Sequence, residues 1–208
     1  MNLTKKLHKF SKKKTFILSY FFFLQIFIFF WITGIEEDLN LFLYFCYHAP
    51  LLIVLLLLFD REDLIPSLII FSLLAQLLYI FDFIISHSIG TSFLGYYDYN
   101  LNSHILIQTI TLLAHLTSII LLYFYSHIEP KKQHLFITFI YTLSIYIIVT
   151  LFISPQYNIN GITTTYTILD YLPYYSILYS IYHLIIIAIP TYYVLLNIYK
   201  YRNKQYNS

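Results

Sequence analysis

The sequence predicts an all-α integral membrane protein, a bundle of six transmembrane helices with both termini in the cytoplasm. The 208-residue chain is 59% hydrophobic and only 11% charged, with a mean hydropathy of +0.70, whereas a soluble domain carries charge on about a quarter of its residues. The apolar residues form runs of about twenty, the length that crosses a hydrocarbon core of about 30 Å. The positions of Lys and Arg predict the orientation.

The spans follow one another with short or moderate connections. The first comes after a lysine-rich tail and has no Ala-x-Ala cleavage site, which indicates a retained anchor rather than a cleaved signal peptide. The predicted spans are residues 15–33, 41–59, 64–86, 104–126, 134–153 and 174–199. The chain therefore divides into a basic tail (1–14), a six-helix domain (15–199) and a second basic tail (200–208).

The basic residues lie on one side of this arrangement. With the N-terminus inside, the outer connections 34–40, 87–103 and 154–173 contain none of the twelve Lys and Arg residues. Basic flanks stay in the cytoplasm, so we expect a multi-pass protein of the cell membrane with both termini cytoplasmic. Its predicted partner is the lipid bilayer. The N-terminal lysines are explained by topology, so no nucleic-acid partner is expected, and protein partners are left open.

The fourth span carries a polar stripe. His104, Gln108, Thr111, His115 and Ser118 follow one another at spacings of 4, 3, 4 and 3 residues. This alternation keeps all five on one face of a helix. Polar side chains with imidazoles inside a membrane helix require partners within the bundle.

Three other spans contain ionisable residues that lie at a similar depth in the membrane or closer to its outer surface. His48 precedes Pro50 in the second span, Asp82 lies near the outer end of the third, and His183 lies in the sixth. On the third span, Asp82 shares one side with Ser72, Gln76, Tyr79 and Ser86. We expect a polar cavity that opens to the outer face, with these members: His48, Asp82, Gln108, His115 and His183. The histidines near the membrane surface, among them His134, are expected to be solvated.

Three interpretations fit this set of residues. Imidazoles and a carboxylate suit zinc or another transition metal, so His48, Asp82, His115 and His183 could hold a metal that activates water against a lipid-like substrate. Alternatively, Asp82 and a histidine could exchange protons in a carrier of a small polar solute. In the third interpretation the same groups hydrogen-bond between helices and fix their packing. The biochemical role stays open among these three.

Part of the chain resembles an uncharacterised family of bacterial multi-pass membrane proteins. The matching stretches are Tyr79-Ile-Phe-Asp82-Phe, the loop from Gly90 to Gly95-Tyr-Tyr-Asp98-Tyr, Leu112-Leu-Ala-His115-Leu and Asn158-Ile-Asn160. The chain departs from the family pattern at Ala114, where a Phe is expected, and at Gly161, where a Trp is expected. The resemblance implies no activity. It implies that Asp82, His115 and the loop residues Asp98, Asn158 and Asn160 share one outward-facing site.

Overall fold

The computed structural model describes residues 12–36, 39–90, 105–153 and 175–206, and every regular element in these ranges is helical. We number the helices in chain order and give two of them two segments each. They are α1 (Lys12–Trp31), α2 (Phe45–Leu58), α3 (Ile65–Ile89), α4a (Ile105–His115), α4b (Thr117–Tyr125), α5 (Lys132–Phe152), α6a (Tyr175–Tyr182) and α6b (Ile189–Tyr206). Short π-helical segments (Ile32–Glu36 and His183–Ala188) and 3-10 turns (Leu39–Leu43 and Glu62–Leu64) adjoin them.

Most of these helices have the length and composition of membrane spans. In the described residues, five helical stretches have at least 18 residues and enough hydropathy to cross a membrane. They are Lys12–Gly34, Glu62–Ile89, Gln108–Tyr125, Lys132–Phe152 and Leu178–Lys204. The prediction of an all-helical bundle of long apolar helices is thus confirmed. The number of six spans and the orientation of the termini stay predictions.

Helix α2 is shorter than its predicted span because the chain breaks at Tyr44. This residue is extended (φ −66°, ψ 129°) and separates the 3-10 turn Leu39–Leu43 from the 14-residue α2. The helix continues through Pro50. Next to this proline, the Leu51 N–H donates a hydrogen bond of 3.1 Å to Gln25 Oε1 of α1. A side chain of the neighbouring helix therefore supports α2 where proline removes a backbone donor.

Helix α3 is the central helix of the bundle. It contacts α2, both segments of α4, α5, the π-helical segment His183–Ala188 and α6b. Helix α1 packs on α2 and α4a. The sequence of α3 explains this position, since polar side chains of a membrane helix face the bundle interior and α3 carries several that are buried, among them Gln76 and Asp82. It begins with Pro66 in its first turn and ends at Gly90, whose φ of +78° suits glycine at a helix end.

Several helix ends meet at what we call the charged end of the bundle. The Lys14 ammonium lies 2.7 Å from carboxylate oxygens of both Asp60 and Glu62. The Arg202 guanidinium donates to the Tyr123 carbonyl over 3.4 Å. Lys13 of α1 donates to the Phe124 carbonyl of α4b and so links these two contacts. The charged end thus comprises the start of α1, the α2–α3 connection, the end of α4b with the residues that follow it up to Lys132, and the later part of α6b.

Candidate functional site

The polar face of α3 packs against α4, and we call this contact the α3–α4 polar interface. Ser72 donates to its own helix at the Leu68 carbonyl over 2.8 Å, so the Ser118 hydroxyl, which contacts Ser72 Oγ, is the donor between the helices. Gln76 Oε1 accepts the Ser118 N–H over 2.9 Å. All residues that the sequence placed on this face of α3 are buried: Ser72, Gln76, Tyr79, Asp82 and Ser86.

Helix α4 is interrupted at this interface. Its two segments are separated at Leu116, two residues before the N–H that Gln76 accepts. A side chain that takes a backbone N–H from a neighbouring helix competes with the regular hydrogen-bond ladder, which is one of the known causes of helix breaks. Gln76 thus accounts for the irregularity in the middle of the predicted polar stripe.

The His115 ring has a defined tautomer. Its Nδ1 lies 2.8 Å from the Thr111 carbonyl, and because a carbonyl only accepts, Nδ1 carries the hydrogen. The Nε2 atom of the neutral ring then presents a lone pair. The ring stacks on Tyr79 of α3, with centroids 3.5 Å apart and planes 11° apart. Gln108 and Thr111 of the same stripe are also buried.

Asp82 lies on the same face of α3, one turn beyond Tyr79. It is fully buried, and the Ser86 hydroxyl is 3.4 Å from Asp82 Oδ1. A carboxylate at membrane depth is costly unless the bundle supplies partners, so such a residue indicates a functional site by default. Asp82 thus lies on the face of α3 whose Tyr79 stacks on His115.

His48 belongs to a different group of side chains. Its Nδ1–H donates to the Phe42 carbonyl over 2.8 Å, and its Nε2 accepts the Tyr141 hydroxyl of α5. Both ring nitrogens therefore have partners. The Phe42 carbonyl lies in the 3-10 turn before the break at Tyr44, so His48 stabilises that turn from within α2.

His183 joins this second group from α6. Its ring packs on Phe71 of α3 with centroids 4.6 Å apart, and its Nδ1 lies 3.5 Å from Thr142 Oγ1. Phe71 also packs on Tyr141, with centroids 4.9 Å apart. We call His48, Phe71, Tyr141 and His183 the aromatic–histidine cluster.

The predicted cavity residues thus divide between two places. His115 contacts α3, with Asp82 and Gln108 buried on the corresponding faces of α3 and α4, whereas His48 and His183 lie on the aromatic–histidine cluster at another face of α3. Across the residues that the structure describes, no three His, Cys, Asp or Glu side chains approach closely enough to hold a metal ion. The zinc hypothesis therefore gains no support from this geometry. The predicted loop contributors Asp98, Asn158 and Asn160, like His104, lie outside the described residues.

The residues that the sequence interpretation missed lie on α5. Tyr141 and Thr142 contact the two histidines of the cluster, and Thr138 donates to the Ser67 carbonyl of α3 over 3.0 Å. The expectation that His134 is solvated is wrong, since the residue is 2% exposed and its Nδ1 accepts the Lys131 N–H over 2.9 Å. The spacing of His134, Thr138 and Thr142 is the same helical periodicity that marked α4, and it could have revealed this face.

Comparisons with known proteins add no identification: no family model matches the chain, and neither the curated proteins nor the solved structures give a significant match.

Proposed function

We propose that this protein is a proton-linked carrier of a small polar solute, and that Asp82 and His115 exchange the proton. The observation that supports this function best is unused hydrogen-bonding capacity at the α3–α4 polar interface. Among the described residues, the buried Gln76 Nε2 has no acceptor, and the His115 ring makes its hydrogen bond through Nδ1. Buried polar groups are normally satisfied in a packed core, so a donor on α3 and an acceptor on α4 at the same helix contact favour binding.

The shape of the helices supports the same proposal. Two helices depart from regular α geometry beside buried polar side chains: α4 at Leu116, beside Thr117 and Ser118, and α6 at His183–Ala188, beside Thr142. At membrane depth, irregular backbone is tolerated where it is buried in protein or lines a cavity, and broken helices are common in carriers. π-Helical turns are also frequent at functional sites.

The aromatic–histidine cluster takes a different part in this proposal. Both nitrogens of His48 are hydrogen-bonded, and its partner Tyr141 is held by Phe71. A satisfied polar contact between helices fixes their relative position. We infer that this cluster holds α2 against α5 while the proton moves at the α3–α4 interface.

We place the protein in the cell membrane with six spans and both termini cytoplasmic. One support is the absence of Lys and Arg from the three predicted outer connections. The other is that the segments containing Lys14, Glu62 and Arg202 lie together at the charged end. On this orientation Asp98, Asn158 and Asn160 belong to outer connections, and we propose that they border the entrance. Membership of the bacterial family suggested by the sequence is part of the same proposal.

Transport by the purified full-length protein tests this function. Proteoliposomes that contain a pH-sensitive dye are exposed to a sugar, a nucleoside and neutral, acidic and basic amino acids. We expect at least one solute to acidify the lumen with the wild-type protein and to have no effect with His115→Ala or Asp82→Asn. The exposed Tyr193→Phe is the matched control and keeps the wild-type response.

A folded wild-type protein that gives no pH change with any solute of this panel would contradict the carrier. The α3–α4 interface would then be a packing device like the aromatic–histidine cluster. A response that survives in both His115→Ala and Asp82→Asn would instead place the proton pathway elsewhere.

A further inference from the structure

The charged end of the bundle contains two cations that hold the end of α4b. Lys13 Nζ donates to the Phe124 carbonyl, and the ammonium lies 5.0 Å from the Tyr125 ring centroid. Arg202 donates to the Tyr123 carbonyl over 3.4 Å. Cations near the last carbonyls of a helix are favoured by its dipole. An ammonium and a guanidinium each carry several N–H donors, and one carbonyl occupies only one of them.

The carboxylates at the charged end form ion pairs with basic residues other than Lys13 and Arg202. Lys14 binds both Asp60 and Glu62, and Asp63 pairs with Arg61 at 3.1 Å. In the part of the chain that the structure describes, neither Lys13 nor Arg202 forms an ion pair with a carboxylate. Glu62 attracts Lys13 electrostatically but forms its ion pair with Lys14, so an anion can contact Lys13 and Arg202 directly.

The surrounding sequence raises the positive potential further. The described residues of this end contribute nine Lys and Arg against four Asp and Glu, an excess of five positive charges. They are Lys12, Lys13, Lys14, Arg61, Lys131, Lys132, Lys200, Arg202 and Lys204 against Asp60, Glu62, Asp63 and Glu129. His127 adds no charge at neutral pH, because burial, and then the neighbouring Lys13, lower its pKa.

An apolar surface continues from these cations along the outside of the bundle. Phe16 and Tyr123 are exposed, by 60% and 68%. Phe16 lies against Phe124, with ring centroids 6.1 Å apart. Two cations at the membrane surface above an exposed aromatic face match a phospholipid, which carries a phosphate above its acyl chains.

We propose that Lys13 and Arg202 bind the phosphate of an anionic phospholipid whose acyl chains lie along Phe16 and Tyr123. The site joins the start of α1, the end of α4b and α6b, so a bound lipid stabilises the contact among these three helices. This proposal is independent of the carrier function, since the site lies at the charged end and uses neither Asp82 nor His115.

Native mass spectrometry of the detergent-purified full-length protein tests the site. Phosphatidylglycerol and phosphatidylcholine with the same acyl chains are added in equal amounts, and bound lipids are counted. We expect the wild-type protein to retain phosphatidylglycerol preferentially. Lys13→Gln and Arg202→Gln should each weaken this binding about tenfold, as expected for the loss of one hydrogen bond to a charged group. Lys204→Gln, on the same helix as Arg202, is the matched control and stays close to wild type.

A charge-conserving variant and a competition with inorganic phosphate complete the test. Arg202→Lys keeps the charge and should recover most of the binding, which separates loss of the site from loss of the fold. Equal retention of the two lipids, or an equal loss in Lys204→Gln and Arg202→Gln, would overturn the proposal. Complete displacement of phosphatidylglycerol by millimolar inorganic phosphate would show that the site binds free phosphate. It would contradict the proposal that the site binds a phospholipid.

Discussion

At the scale of single residues, two histidines share one tautomer and differ at the other nitrogen. Backbone carbonyls hold the Nδ1–H of both His48 and His115. The Nε2 of His48 accepts the Tyr141 hydroxyl, whereas the ring of His115 is held by stacking on Tyr79. The same residue type therefore serves packing in one place and is suited to proton exchange in the other.

The first prediction concerns the Tyr141 hydroxyl. Tyr141→Phe keeps the ring that packs on Phe71 and removes the donor to His48 Nε2. We expect the free energy of unfolding to fall by about 0.5–1.5 kcal/mol, the range for a hydrogen bond between membrane helices. Unfolding by SDS in mixed micelles measures it. The exposed Tyr193→Phe should leave stability unchanged, and an equal effect of the two variants would show that the hydroxyl contributes nothing specific.

Periodicity predicted part of the candidate site from residues alone. The 3- and 4-residue spacings on α3 and α4 identified Gln76, Asp82 and His115 because a helix brings such positions to one face. Tyr141 could not be distinguished in the same way, since it is one of 23 tyrosines. Its role follows from the approach of α5 to α2, which no spacing within either helix reveals.

At the scale of helices, two glutamines support their neighbours at irregular points. Gln25 of α1 accepts the Leu51 N–H beside Pro50, and Gln76 of α3 accepts the Ser118 N–H beside the break in α4. A backbone donor without a partner in hydrocarbon is costly. In each case, the defect in one helix is compensated by a side chain of another.

The second prediction tests this compensation. Gln76→Leu keeps the approximate volume and removes the acceptor of the Ser118 N–H. We expect the protein to lose about 1–3 kcal/mol, the cost of leaving a buried donor without a partner. SDS unfolding measures the loss, and hydrogen exchange should increase around Ser118. Gln133→Leu at an exposed position is the control. Unchanged exchange at Ser118 would mean that α4 is interrupted for another reason.

The helix breaks also show what cannot be predicted from the sequence of one segment alone. Hydropathy placed the spans well enough to identify the long apolar helices. It missed the break at Tyr44 and the one at Leu116, because the groups that stabilise them include Gln76 on a different helix. A hydropathy profile contains no information about such partners.

At the scale of the whole molecule, the distribution of Lys and Arg predicts how the protein is oriented in the membrane. Nine cations of the described residues belong to the segments of the charged end, and the predicted outer connections contain no Lys or Arg. In the orientation that we propose from the positive-inside rule, that end lies in the cytoplasm. Lys14 and Arg202, from opposite ends of the chain, then lie on the same side of the membrane.

The third prediction is the accessibility of introduced cysteines. Cys46 is buried and is replaced by alanine to give a background without thiols. In intact cells, a membrane-impermeant maleimide should label Asn160→Cys, and it should label Lys131→Cys only after permeabilisation. Labelling of Lys131→Cys in intact cells would reverse the proposed orientation. Equal labelling of both before permeabilisation would contradict an odd number of spans between them.

The contact between Lys13 and Phe124 also constrains the order in which the protein assembles. The two residues are 111 positions apart, so the start of α1 cannot reach its final partner until the ribosome has made α4b. At elongation rates of about 5–20 residues per second, that interval is roughly 5–20 s. During this time Lys14 can already pair with Asp60 and Glu62, whereas Lys13 lacks its carbonyl partner on α4b. Because Arg202 reaches the Tyr123 carbonyl only after α6b has been made, synthesis of the last helix is the step that closes this end of the nascent protein.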